Sequence, residues 1–154
     1  MSRAFVKDAD GRELEELPEL AVSPHRNLVT PEGLAMIEAT LSRLESGLAA
    51  ARAAEDREAV ARAERDLRYW RQRRVSAELV PRDEAPEVVR FGCTVALVTD
   101  RGERVGFRIV GEDEADPGHG LISWVSPLAE ELLGCSVGDE VRFRGSTAEI
   151  AAIG

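Results

Sequence analysis

The stretch TPEGLAMIEATLSRLESGLAAARA, residues 30–53, decides how the chain is organised. It opens with a hydroxyl suited to N-capping, a proline suited to the first helical position and an acid favoured by the helix dipole. Leu34, Ile37, Leu41, Leu44, Leu48 and Ala51 then recur at alternating spacings of three and four, which is a heptad seam. Continuing that register would put Glu55, Glu58, Arg62 and Arg65 on the seam, so the stripe stops after Ala51. A second stripe, Val60, Ala63, Leu67 and Trp70, resumes out of phase and reaches Arg74 and Ala77 before Val80-Pro81 ends the helical signal. Two stripes with a polar break predict an antiparallel helical hairpin, a coiled coil, over residues 30–80. The alternative is one long kinked helix. Each helix alone is marginal in water at about 20 residues, so the pair must zip along its seams. About 22 residues at 1.5 Å each make an arm about 33 Å long. The tip falls near Ala53 to Ala59, where Glu55, Asp56, Arg57 and Glu58 stand without Gly, Pro or Asn to form a turn.

Outward from the hairpin, residues 1–29 alternate charge with single apolar residues and include Pro18 and Pro24, showing no sustained period. They read as an arm, either loose or laid along the body through Phe5, Val6, Leu14, Leu17, Leu20 and Val22. Residues 81–89, with two prolines, read as a linker. Beyond it, over 90–154, the period changes to short β-prone runs. Strands are expected at Val88–Phe91, Thr94–Val98, Arg104–Val110, Leu121–Val125, Val137–Phe143 and Ala148–Ile153, with a helix over Pro127–Leu133 capped by Ser126 and ended at Gly134. The fold class is therefore α+β: the hairpin followed by a small, mostly antiparallel sheet with one short helix.

Composition narrows the function. The 154 residues carry a net charge of -9, and the last block, 81–154, holds 7 basic against 14 acidic side chains. Such a domain is repelled by phosphate backbones, so independent duplex DNA binding is not expected. Aromatic residues at 5% leave few rings for stacking bases. A protein partner with basic patches fits better. Cys93 and Cys135 form no CxxC pair and have no His at metal-ligand spacing, so neither a zinc site nor a redox motif follows. With no signal-like leader and no apolar run long enough to span a bilayer, a cytoplasmic protein without a membrane role is expected.

The run Phe107-Arg108-Ile109-Val110-Gly111-Glu112-Asp113-Glu114-Ala115-Asp116-Pro117, then Leu121-Ile122-Ser123 and Ser126-Pro127-Leu128-Ala129, resembles the C-terminal domain of the bacterial Gre transcript-cleavage factors. Leu132-Leu133-Gly134 and Val137-Gly138-Asp139-Glu140-Val141 extend the likeness. Val29-Thr30-Pro31-Glu32-Gly33-Leu34 is similar to the opening of that family's coiled coil, and Phe91-Gly92-Cys93-Thr94-Val95 to its post-linker strand. The resemblance implies a hairpin joined to a domain like that of FK506-binding proteins. It implies docking of that domain at the secondary channel of bacterial RNA polymerase, with nascent RNA met only inside the complex. Acids at the tip would help hold a Mg²⁺ at the polymerase active centre and stimulate hydrolysis of backtracked RNA, the chain having no activity and no cofactor of its own.

Carried over residue by residue, the resemblance makes Asp56 and Glu58, with Glu55, the acids that assist in trans. The family shows an Asp, a Glu three residues later, then Asn; here Glu58 comes one position early, and Ala59 or Val60 replaces the Asn. A carboxylate one residue off on a helix swings by about 100°. The hairpin is also shorter than the family norm. Val125, Ser126 and Pro127 fall in the segment that resembles the polymerase-contacting loop, with Val125 where a polar residue is usual. Arg62, Arg65 and Arg68 read either as part of a basic strip along RNA or an acidic wall, or as ordinary i,i+4 partners of Glu58 and Glu64. Glu112, Asp113, Glu114 and Asp116 read as a solvated loop rather than a cation site. Beside transcript cleavage stands a second expectation, a non-cleaving secondary-channel regulator. A peptidyl-prolyl isomerase is suggested by fold analogy alone.

Overall fold

The computed structural model describes residues 17–154 throughout and, before them, the backbone of two short strands, β1 (Phe5–Lys7) and β2 (Glu13–Glu15). These pair antiparallel with Val6 opposite Leu14, so the segment read as an unpatterned arm contains a strand pair. The side chains of Phe5, Val6 and Leu14 lie outside the described residues. Two compact units divide the chain: residues 1–25 with 37–76, and residues 26–36 with 77–154.

In the first unit, helix α1 (Pro31–Ala53, which begins in the other unit) and helix α2 (Arg57–Ser76) form the expected hairpin. Glu38 pairs with Arg74, Glu45 with Arg71 and Arg52 with Glu64, so positions rise along one helix as they fall along the other. That order is antiparallel and replaces the single kinked helix. Ile37, Leu48, Ala51 and Leu67 are buried on the seam, and Leu41, Leu44, Val60, Ala63 and Trp70 are half-buried beside them. Past Trp70 the seam departs from its expected register: Arg73 is buried, whereas Arg74 stays exposed on Glu38. The apolar stem of an arginine can cover a seam that its sequence position alone would deny it.

In the second unit, β3 (Leu28–Val29) pairs parallel with β4 (Glu78–Leu79). The main sheet is built of β5 (Thr94–Thr99), β6 (Arg104–Val110), β7 (Leu121–Ser123), β8 (Glu140–Phe143) and β9 (Ser146–Ile153), in the order β7-β6-β5-β9-β8. Its pairings are antiparallel except β6 with β7, which is parallel. The core joins Val95 and Leu97 of β5, Ile109 of β6 and Ile150 of β9 to Ala129 and Leu132 of helix α3 (Pro127–Leu132).

Two expected strands are corrected here. Val88–Phe91 is not a strand; Val89 is instead pinned by its N–H on the Cys135 carbonyl and its carbonyl on the Gly134 N–H, and its side chain is buried in the core. The stretch read as linker therefore ends in a core residue. Val137–Phe143 becomes a strand only at Glu140, because the Ser136 backbone N–H donates to the Asp139 carboxylate at 2.8 Å and Gly138 sits at φ 94° in a turn.

The root of α1 is tied down within this second unit. The Thr30 hydroxyl accepts from the Gly33 N–H at 2.9 Å, the cap its sequence predicts, and donates to the Glu114 carboxylate. Arg108 holds Glu32 at 3.1 Å. The Glu32 carboxyl lies below its ordinary pKa because its own backbone N–H and then Arg108 favour the anion. A Cβ on Gly111 would sit 2.3 Å from the Leu28 carbonyl oxygen, so this glycine is required by close approach of two backbones. The acidic run 112–116 is thus not simply a solvated loop: Glu114 anchors a helix start, and Asp116 pairs with His119 at 2.7 Å.

Candidate functional site

The hairpin turns within Ala54, Glu55 and Asp56. The Glu55 N–H bonds to the Arg52 carbonyl at 3.1 Å and the Asp56 N–H to the Ala51 carbonyl at 3.0 Å, the paired bonds of a Schellman ending. That ending needs a left-handed residue, and Glu55 supplies it at φ 55° where glycine is usual. Asp56 then begins α2: its Oδ1 accepts from the Ala59 N–H at 3.1 Å and its carbonyl from the Val60 N–H at 2.9 Å. Glu55, Asp56, Arg57 and Glu58 are all exposed. The three candidate acids thus share one tight turn, with Glu58 in the first turn of α2. A strained non-glycine residue held by its neighbours is the kind of feature that marks functional sites.

The arginines of α2 are mostly engaged. Arg68 binds the Glu19 carboxylate through Nε at 3.0 Å and a terminal nitrogen at 2.6 Å, which holds the Glu19 carboxyl below its ordinary range. Arg65, half-buried, pairs with Asp66 at 3.0 Å. Arg62 is exposed, and no ion pair of its own is found among the described residues. The i,i+4 partners expected for these arginines are not the ones used: Glu64 goes to Arg52 across the hairpin, and Arg68 goes to the segment before it. Of the proposed strip, Arg62 alone is open positive charge among the described residues.

In the globular unit, Ser126 caps α3, its hydroxyl accepting from the Ala129 N–H at 3.3 Å, and Pro127 takes the first helical position. The Val125 N–H donates to the Ser123 hydroxyl at 3.3 Å. Val125 and Ser126 are half-buried and Pro127 is exposed, so the three expected contact residues share one short surface segment. Beside it runs an open groove lined by Pro127, Leu128, Glu130, Arg142, Phe143 and Arg144. The Arg144 guanidinium lies 4.7 Å over the Phe143 ring, on a backbone at φ 50°. The sequence reading missed this groove; Arg144-Gly145 between two strands was the available signal. Among the described residues no group of three His, Cys, Asp or Glu side chains is placed to hold a metal ion.

Comparison with known proteins meets the globular unit. The family model described as transcription elongation factor, GreA/GreB, C-terminal, matches residues 83–153. Residues 83–153 are thus similar to the C-terminal domain of the GreA/GreB factors. A GreA of Nautilia profundicola is 50% identical over 62 residues, covering 40% of this chain and 38% of that protein. A GreB of Neisseria meningitidis is 41% identical over 80 residues, 51% of this chain and 49% of that one. The chain spans about half the length of such Gre relatives, or less. Among solved structures, GreA factor homolog 1 of Thermus thermophilus aligns over 84% of this chain and 99% of its own, at 19% identity and a TM-score of 0.41.

Proposed function

We propose that this chain is a transcription elongation factor that binds bacterial RNA polymerase at its secondary channel and stimulates cleavage of backtracked RNA. The observation that carries this reading is the GreA/GreB match over residues 83–153, in a chain whose helical hairpin gathers Glu55, Asp56 and Glu58 at one turn. In this reading the Val125-Ser126-Pro127 segment docks on the polymerase, and the tip supplies carboxylate oxygens, the donor type Mg²⁺ takes. A cation held there would stabilise both the attacking and the leaving oxygen as the phosphodiester is hydrolysed. Hydrolysis belongs to the polymerase, so this chain is not an enzyme. RNA is met only inside the complex, because a net charge of -9 opposes free association with nucleic acid. The compartment is the cytoplasm, where the polymerase works.

The test is RNA cleavage in halted, backtracked polymerase complexes with and without the purified chain. Stimulation that falls on Glu58→Gln at matched occupancy is the expected result; a chain that fails to bind core polymerase refutes the reading. The tip also favours a second reading, a non-cleaving secondary-channel regulator. Ala59 offers no side-chain amide after Glu58, and α1 and α2 are short, at 23 and 20 residues. Binding that displaces a cleavage factor and yields no cleavage would select this alternative.

A further inference from the structure

We infer that Asp56 is a positioning residue of the hairpin tip, not one of its ligands; this rests on the cleavage reading above for its functional half and on geometry for its structural half. Three bonds pass through this one residue. Its N–H closes α1 on the Ala51 carbonyl, its carbonyl opens α2 by accepting from Val60, and its Oδ1 accepts from the Ala59 N–H. One side chain and one peptide unit therefore end one helix and start the next. Glu55, immediately before it, sits at φ 55°. A non-glycine residue stays in that region only where its surroundings over-determine it, and the bonds of Asp56 are those surroundings. The cap thus fixes the backbone that displays Glu55.

Electrostatics points the same way. The Asp56 carboxylate faces the start of α2, where unpaired N–H groups present a partial positive charge. A divalent cation brought to that carboxylate meets this field, and Oδ1 is already taken up by the Ala59 N–H, which leaves Oδ2 as its one uncommitted oxygen. Glu55 and Glu58 are exposed, and no side-chain hydrogen bond or ion pair of either is found among the described residues. They are the carboxylates free to turn toward a cation held by a partner.

The experiment compares the full-length wild type with Asp56→Asn, Asp56→Ala and Glu58→Gln in the backtracked-complex assay at matched occupancy, alongside amide hydrogen exchange at Ala59. Asn caps a helix as well as Asp does but is a far poorer Mg²⁺ ligand. Expected is a loss of stimulated cleavage of about tenfold or more in Asp56→Ala, as displaced groups commonly give, with faster exchange at Ala59. Asp56→Asn restores cleavage to within a few-fold and keeps Ala59 protected. Glu58→Gln loses cleavage with Ala59 still protected. If Asp56→Asn is as inactive as Asp56→Ala while Ala59 stays protected, Asp56 is a ligand and the inference falls. If the wild type itself stimulates nothing, the cleavage reading falls, and exchange alone decides the cap: unchanged protection of Ala59 in Asp56→Ala overturns it.

Discussion

Val95, Leu97, Ile109, Leu132 and Ile150 are all fully buried around the five-stranded sheet, whereas the hairpin buries only a few side chains and covers its flanks with charge. The sheet unit is held by apolar area removed from water, which is non-directional and large. The hairpin is held by a single seam, by exposed ion pairs and by the chemistry of its turn and caps. Exposed pairs contribute little each, typically about 0–1 kcal/mol, because water and salt screen them and two long side chains must be ordered. The two parts are accordingly sensitive to different things: volume in one, local geometry in the other.

The comparison is broken most directly in the cores. Ile150→Ala in β9 removes a fully buried side chain and is expected to cost about 2–5 kcal/mol in chemical denaturation. Leu44→Ala, half-buried on the hairpin, should cost less than half as much. Equal costs for the two would remove the distinction. Next in size is Gly111→Ala, which places a methyl 2.3 Å from the Leu28 carbonyl oxygen. Backbone has to move to relieve it, at about 1–3 kcal/mol, a typical cost of overpacking. An unchanged midpoint would show that β3 is free to retreat from the loop after β6.

These two variants also separate what the chain announces from what it conceals. The heptad stripes and the Thr30-Pro31 start were legible because helix signals are local and periodic. Arg104–Val110 and Ser126-capped α3 were legible for the same reason. Val89 was not, because its backbone partners, Gly134 and Cys135, are far away in sequence. Arg73 was missed since burial of a charged residue breaks the binary pattern. The acids 112–116 were read by type alone, and only the fold brings Glu114 to Thr30. At the tip, residue types were legible but the division of labour was not. A Schellman turn on Glu55 lacks its usual glycine, and the double use of Asp56 exists only once both helices are in place.

The turn gives the third test. Glu55→Gly relieves a left-handed conformation that costs an L-residue about 1–2 kcal/mol, offset by the greater freedom of glycine in the unfolded chain. The net expectation is stabilisation of about 0.5–1 kcal/mol, read as a raised denaturation midpoint, together with weaker stimulated cleavage if the carboxylate acts on the polymerase. A variant that is destabilised would mean that the Glu55 side chain itself supports the turn. Gain of stability with loss of activity is the pattern expected where a strained residue has been kept for use.

The smallest effect belongs to the most exposed contact, the Glu19–Arg68 pair. The hydrogen bond from Arg68 lowers the Glu19 carboxyl from its usual 4.5, so the folded chain holds this proton less tightly than the unfolded one does. Stability from the pair is therefore present above the unfolded value and is lost as pH falls through the lower, folded one. Glu19→Gln should melt slightly below the wild type at pH 7, and the gap should close on acidification below about pH 4.5. Added salt at pH 7 should narrow the same gap, because the pair is open to solvent. A gap that persists at pH 3 and in high salt would mean that Glu19 acts by packing of the segment before the hairpin instead of by charge, and would put that segment with the sheet unit in the manner by which it is held.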